Sequence, residues 1–484
     1  MSFQFVNQSD ITNTRERKLI RSHVMKGKNL GKKKPKRKQQ SESTPSTPIV
    51  SERPEIDNGA SSLDLLRSLQ RESSVPVSVP VIFRQVANEF NTLISMTGVN
   101  VTSETVSYIR HMFFYVLDVT SPAKFCQSTG VTAQMWAHLA IHNKAYFHCT
   151  IAMASACAAF VAGDSYHSPV ALGHMSQAYR LLNDRLSSKE PLSDTTVAVV
   201  AAINVYDRLY GDPQKAMVHL NGLVDMIASI GGISELAKRN IIIAEKIFQC
   251  DIELALSCGS TPKFSTAVVP PNLVLTSPLC WHQPHGSGDA ELMNSVLYQS
   301  VSAELGEPVL EALRFSRILD QATHAQKLDS LAYQCTHIYI GYRLLETKLH
   351  NESGAGTGLD ALVHVALTGF HNTFCFSIGG KLLAFPLIMD RFRTAAQSAR
   401  GDDRVQQMVV FWALLMGRIS ALAGDDDTWL VVKVEMLARD LGLRTWAQVS
   451  DALGTFPWVK AVHDAHGERF WRAKIERGLP VLVA

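Results

Sequence analysis

Hydrophobic side chains recur along residues 81–477 at intervals of three or four positions. Phe83, Val86, Phe90 and Leu93 follow this spacing, and later segments repeat it. Such spacing places apolar residues on one face of a helix, whereas a half-buried strand alternates at every second position. The pattern therefore predicts an all-α fold, with one large multi-helix domain over residues 81–477.

The clearest predicted helix ends lie on either side of a segment in the middle of the chain. Asp212 has a side chain that can accept a hydrogen bond from the first backbone N–H groups, and Pro213 suits the first helical position. Gly231 and Gly232 then allow the left-handed backbone that commonly ends a helix. The sequence thus predicts a helix from residue 213 to about residue 230.

The first 80 residues have a different composition from the rest. Residues 1–61 combine a basic run with a stretch rich in Ser, Thr and Pro that has little apolar surface to bury, so we expect a disordered arm. Residues 62–80 contain a short amphipathic segment followed by SSVPVSVP. This second stretch favours a stiff linker, because each proline keeps the preceding residue out of the α region.

One segment is long and apolar enough to be considered as a membrane span. Residues 145–163 carry no formal charge over nineteen positions. The segment nevertheless includes His148, Thr150 and Ser155, and it is rich in alanine and poor in large apolar side chains. We therefore expect a buried core helix and no membrane association.

Charge is distributed unevenly along the chain. The formal net charge is +3, but residues 15–38 contain twelve Lys or Arg and one acid, so this stretch alone carries +11. Six of these cations lie in the run KKKPKRK: Lys32, Lys33, Lys34, Lys36, Arg37 and Lys38. An extended basic run fits the acidic groove of a nuclear import receptor, and it also fits DNA phosphates without sequence selectivity. A solvated run without a partner is the third interpretation.

Residues with catalytic or metal-binding potential do not form a recognisable site. The eight cysteines include no Cys-x-x-Cys pair, which predicts free thiols in a reducing compartment. His138 and His142 lie about one helical turn apart, as do His463 and His466, but neither pair belongs to a four-ligand zinc motif. The glycine-rich segment 354–358 lacks the preceding strand and the Lys-Ser/Thr pair of a nucleotide-binding loop. We therefore predict no catalytic residue, no metal and no cofactor.

A motif near the middle of the chain resembles the fungal-specific transcription factor domain family. Residues 219–236 read HLNGLVDMIASIGGISEL, and family members similarly carry His-x-x-Gly-Leu, then Met with a hydrophobic residue, then Gly-Gly with a hydrophobic residue. The matching positions are His219, Gly222, Leu223, Met226, Gly231 and Gly232. We interpret these residues as structural, with Gly222 allowing a second helix to approach closely and Gly231 ending the helix.

The resemblance extends over roughly residues 1–475, because segments 142–160, 173–188 and 409–443 also look like parts of this family. One departure concerns DNA recognition. Many relatives carry an N-terminal binuclear zinc cluster of six cysteines, whereas the first cysteine here is Cys126. The resemblance therefore implies the helical regulatory half of a transcription factor without its usual DNA-reading module.

The expected function is that of a non-enzymatic nuclear transcriptional regulator or co-regulator. Its expected partners are a nuclear import receptor, transcription-related proteins and the DNA backbone. One alternative is a cytosolic helical protein-interaction protein whose basic tail is incidental. Another is a small-molecule sensor or an enzyme, which would require a pocket between helices.

Overall fold

Helices form nearly all of the regular structure in a computed structural model of this chain. The described residues are 102–127, 131–163, 168–188, 190–280, 288–324, 326–348, 358–375, 377–378, 381–420, 422, 424 and 427–476. Within these ranges, one small antiparallel sheet pairs β1 (Ser377–Ile378) with β2 (Lys381–Leu382). The all-α prediction is therefore confirmed for this part of the chain. The basic arm, the linker and residues 81–101 lie outside the described residues.

Eight helices cover most of the described chain between residues 103 and 258. They are α1 (Ser103–Thr120), α2 (Val131–His142), α3 (Lys144–Ala162), α4 (Pro169–Leu186), α5 (Asp194–Leu209), α6 (Pro213–Ser229), α7 (Ile233–Arg239) and α8 (Ile241–Cys258). Several of these helices are capped by the side chain of the residue that precedes the first turn. For example, the Ser193 side chain accepts a hydrogen bond from the Thr196 N–H at the start of α5. Such a bond satisfies one of the N–H groups that a helix leaves unpaired at its first turn.

The two helix ends predicted for α6 are both observed. Pro213 occupies the first turn, and Asp212 Oδ1 accepts a hydrogen bond from the Lys215 N–H at 3.0 Å. At the other end the chain turns through Gly231 and Gly232, whose φ angles are +102° and +90°. Residues with a Cβ atom rarely adopt such φ angles, so glycine is the residue that fits this turn. The local sequence is therefore sufficient to define this helix.

Helix α3 runs through the core. Every side chain from Ala145 to Ala158 except His148 is buried, and α1, α2, α4 and α5 all pack against it. By length and composition, α3 is the one described helix that could cross a membrane, and the pair α6–α7 would add a second span if its 77° bend were ignored. The protein buries 78% of the apolar window of α3. This burial confirms the prediction of a core helix.

Ten further helices follow in the described chain. They are α9 (Gly288–Met293), α10 (Val296–Gln299), α11 (Ala303–His324), α12 (Ser330–Glu346), α13 (Gly358–Cys375), α14 (Pro386–Ser398), α15 (Arg404–Ile419), α16 (Thr428–Leu441), α17 (Trp446–Leu453) and α18 (Lys460–Phe470). Helix α12 packs against α8, α13 against α12, α15 against α13, and α16 against α15. The hydrophobic core therefore continues from the first group of helices into the second.

Helix α15 is surrounded by other helices. Every residue from Val409 to Gly417 is buried. Trp412 stacks on Phe456, with ring centroids 5.5 Å apart. Gly417 faces Phe392 so closely that a Cβ atom at position 417 would lie 2.1 Å from a ring carbon. Phe392 is itself fully buried, so this contact leaves no space for a larger residue at position 417.

We predict that Gly417→Ala destabilises the protein, whereas Gly222→Ala does not. Alanine is the better helix former by about 1 kcal/mol at either position. At position 417 the clash with Phe392 should outweigh this gain and lower the free energy of unfolding by about 2 kcal/mol. At position 222 a Cβ would meet no atom within 4 Å, so stability should be unchanged or higher. Urea unfolding of both variants checks this, and equal effects would contradict it.

Candidate functional site

The residues of the family motif lie mostly inside the helical domain. Leu223 is fully buried on α6, and Met226 is partly buried against the same core. After the Gly231–Gly232 turn, Ile233 begins α7 with only 8% of its surface exposed. These side chains hold α6 and α7 against their neighbours, so little of their surface is left for a ligand.

His219 is the polar member of the motif and contacts two neighbouring helices. Its Nε2 lies 3.2 Å from Asp207 Oδ2 on α5 and 3.3 Å from the Tyr179 hydroxyl on α4. Lys215 Nζ lies 3.6 Å from the other Asp207 oxygen, and the Asp207 side chain is only 2% exposed. Burial raises the pKa of the Tyr179 phenol, and the Asp207 carboxylate raises it further. His219 is therefore a nearby partner for the buried carboxylate of Asp207.

Gly222 does not have the role that the sequence suggested. We expected it to allow another helix to approach α6 closely. A Cβ atom at this position would meet no atom within 4 Å. Gly222 and the buried Leu223 are consecutive residues of α6. Consecutive residues of a helix point in different directions, so Gly222 faces away from the core contact of Leu223. Close packing therefore does not require glycine at this position.

A second polar cluster joins α5, α6 and α8. Arg208 Nε donates to Asn204 Oδ1 at 3.0 Å, and its guanidinium forms an ion pair with Glu253. Asn204 is fully buried, and its Nδ2 donates to the Ala216 carbonyl at 2.6 Å. Burial lowers the pKa of Arg208, while the contact with Cys250 opposes that effect. These bonds connect three helices of the motif region through side chains that face inward.

Glu245 on α8 is a buried acid with an incomplete set of partners. Its side chain accepts a hydrogen bond from Gln249 Nε2 at 3.0 Å through Oε1, while Oε2 has no hydrogen-bond partner among the described residues. Burial raises the pKa of Glu245 to about 8, although the neighbouring Lys246 lowers it. Glu245 is therefore mostly protonated at neutral pH.

The histidine pairs singled out in the sequence occupy different environments. His138 and His142 are exposed on α2, with ring centroids 4.2 Å apart. His463 is buried on α18, where its Nδ1 accepts a hydrogen bond from the Val459 N–H at 2.9 Å. Its Nε2 lies 3.0 Å from Thr373 Oγ1. Burial lowers the pKa of His463 to about 3, so this histidine is a neutral core residue.

A cavity of about 590 Å³ lies between α11, the start of α12 and the loop that follows α8. Leu275, Leu292 and Ile318 contribute apolar wall, and Arg314 and Arg317 contribute charge. These residues come from separate segments, so no local pattern in the sequence could have indicated the cavity. The only local signal in the sequence is the spacing of Arg314, Arg317 and Ile318, which places the three residues on one face of a helix.

Two segments identified in the sequence lie wholly or mostly outside the described part of the chain. The first is the basic run, with Lys32, Lys33, Lys34, Lys36, Arg37 and Lys38. Of the glycine-rich segment 354–358, only Gly358 is described, as the first residue of α13. The interpretations of both segments remain predictions.

A comparison with protein-family models matches residues 117–267 to the fungal specific transcription factor domain. This segment is similar to the fungal specific transcription factor domain. It contains helices α2 to α8, and with them the whole motif from His219 to Gly232. Searches of curated proteins and of solved structures gave no match.

The matched domain covers about a third of the chain, whereas the resemblance noted in the sequence extended over roughly residues 1–475. Both polar clusters described above belong to the matched segment, since Asp207, Arg208 and Glu253 all lie within residues 117–267. The cavity at α11 lies largely outside it.

We predict that Glu245→Gln stabilises the protein increasingly as the pH rises. The folded protein holds the Glu245 proton up to a pKa of about 8, above the usual value of 4.5. Between these values the folded state binds more protons than the unfolded state, so wild-type stability falls as the pH rises. Glutamine removes this dependence and keeps the acceptor for Gln249.

Urea unfolding at about pH 5 and about pH 7 should show the advantage of Glu245→Gln growing by about 1–3 kcal/mol. Glu190→Gln, at an exposed position, controls for the loss of one negative charge. An advantage of the same size at both pH values would contradict the prediction.

Proposed function

We propose that the protein is a nuclear transcriptional regulator or co-regulator that acts through protein contacts of its helical domain. The match of residues 117–267 to the fungal specific transcription factor domain is the observation that carries this proposal. The inward-facing pairs within that domain support a scaffold role. Asp207 faces His219, and Arg208 forms an ion pair with Glu253, so these side chains hold helices together.

Recognition of specific DNA sequences is not part of the proposed role. A binuclear zinc cluster needs six cysteines close together, and residues 1–125 contain none. In this proposal the regulator reaches its genes through transcription-related proteins. This proposal assigns the helical domain no catalytic step, no metal and no cofactor.

The basic arm is proposed to deliver the protein to the nucleus. Its six clustered cations surround Pro35, which favours an extended backbone, so the side chains can lie along the acidic groove of an import receptor. The same charges can contact DNA phosphates by releasing counterions, a contact that adds affinity without selecting a sequence.

Tethering tests the regulatory role. We expect the full chain, fused to an unrelated sequence-specific DNA-binding domain in fungal cells, to change expression of a reporter carrying that domain's site several-fold. The DNA-binding domain alone and its fusion to residues 1–80 serve as controls, because both lack the helical domain. A reporter that responds equally to all three proteins would refute a regulatory role for the helical domain.

Substitution of the arm tests nuclear delivery. Replacing Lys32, Lys33, Lys34, Lys36, Arg37 and Lys38 together by Ala should move a fluorescently tagged protein from the nucleus to the cytoplasm. Replacing only the five lysines by Arg keeps every charge and should preserve nuclear accumulation. If the alanine variant accumulates in the nucleus as the wild type does, the import role of this run is wrong.

The alanine variant also tests the contact with DNA. Weak binding of the full chain to non-specific duplex should be lost or reduced, and each lost phosphate contact should flatten the log–log salt dependence by about 0.9. A salt dependence equal to that of the wild type would show that the run does not contact DNA.

A further inference from the structure

The cavity beside α11 combines an apolar wall with a cluster of positive charge. Its volume is about 590 Å³, within the size range of small-molecule sites. The apolar wall includes Leu275, Leu292, Ile318, Ala322 and Leu328. A small molecule with an apolar body could therefore bury that body against these side chains and gain the hydrophobic free energy of burial.

Positive charge predominates among the charged residues that line the cavity. The cations are Arg314, Arg317 and Lys327, and the acids are Asp289 and Asp329. Both acids already have partners within the protein. Asp289 Oδ1 accepts from Arg314 Nε at 3.0 Å, and Asp329 Oδ1 accepts from the Ala332 N–H at 2.9 Å as the N-cap of α12.

The cations have donors left for a ligand. Arg314 bonds Asp289 and Glu311 through Nε and Nη1, and a guanidinium has five N–H groups. Lys327 donates to the Lys124 carbonyl, which uses one of its three donors. Arg317 pairs with Glu291 at 2.8 Å, but the two side chains are 43% and 72% exposed, and a pair this exposed contributes little. A bound anion could therefore replace Glu291 as the partner of Arg317.

The first turn of α12 also lines the cavity, because Asp329 and Ala332 belong to its wall. Backbone N–H groups at a helix N-terminus carry partial positive charge, but the Asp329 carboxylate already caps this end by accepting from the Ala332 N–H. The preference of the cavity for an anion therefore rests on Arg317 and Lys327.

We propose that this cavity binds a small organic acid, with its carboxylate at Arg317 and Lys327 and its apolar body against Leu275, Leu292 and Ile318. An amine with the same body would be repelled by Arg317 and Lys327, while Asp289 and Asp329 are held by partners within the protein. An alcohol could accept a hydrogen bond from these cations, but it has no negative charge to pair with them. The inference is independent of the nuclear role, because it concerns residues that lie mainly outside the matched domain.

Three probes of equal chain length test the chemistry: octanoate, 1-octanol and octylammonium, titrated calorimetrically into the full chain at neutral pH. We expect saturable binding of octanoate, with the other two about tenfold weaker or undetectable. Equal affinity for octanoate and octanol would overturn the role of the carboxylate. Absence of saturable octanoate binding would overturn the site.

Variants test the location. Arg317→Met and Lys327→Met should each weaken octanoate binding about tenfold while leaving octanol binding unchanged, and Arg317→Lys should restore most of the loss. Arg439→Met is the matched control, since Arg439 forms a comparable 2.8 Å ion pair with Glu435 and is 52% exposed on α16, away from the cavity. An equal loss of octanoate binding in Arg439→Met would overturn the assignment.

A filled cavity gives a second check. Ala322→Leu adds apolar volume to the wall and should weaken octanoate and octanol alike by occupying their space. Circular dichroism without probe shows whether each variant is folded, and only folded variants are compared. Unchanged binding of octanoate in folded Ala322→Leu would place the acid elsewhere on the protein.

Discussion

The buried polar side chains of α5 are the constraint on which the rest of the helical domain depends. Asn204, Asp207 and Arg208 lie near one end of this helix, and their partners lie on α6 and α8. The partners are the Ala216 carbonyl, His219 and Glu253. Buried charges are tolerated only when they are paired, and breaking such a pair typically costs about 3–5 kcal/mol. The packing of α6 and α8 against α5 therefore requires a particular register, which apolar contacts alone would not specify.

Local chemistry explains which features of this fold could be predicted from the sequence. Asp212 and Gly231 act on the backbone within a few residues of themselves, so the sequence alone predicts the ends of α6. The uncharged, alanine-rich composition of residues 145–163 likewise indicated the core helix α3. Gly222 shows the limit of this reasoning, because its expected close contact depends on which neighbour lies opposite, and the structure places none there. The cavity walls also arise from segments far apart in the chain, which periodicity cannot bring together.

Buried titratable groups make the stability of this fold depend on pH from both directions. Burial lowers the pKa of His463 to about 3 and that of His148 to about 4, from a usual value of 6.5. The unfolded chain therefore binds protons more readily below about pH 6.5, so the contribution of these histidines is lost as the pH falls. Glu245 acts in the opposite sense, because its raised pKa favours the folded state at lower pH. The two effects together favour an intermediate pH for maximum stability.

Helix α12 is the element through which the cavity and the segment matched to the fungal specific transcription factor domain can influence each other. Its first turn lines the cavity, while residues further along it bond to the matched segment. Tyr342 donates to Asp251 Oδ2 at 3.0 Å, and Glu346 Oε1 accepts from the Thr266 N–H at 2.8 Å. A ligand can shift the domain only if it binds two arrangements of these helices with different affinity. The polar contacts of α12 are the places where two such arrangements would differ, because a hydrogen bond between buried groups is either made or broken when a helix moves.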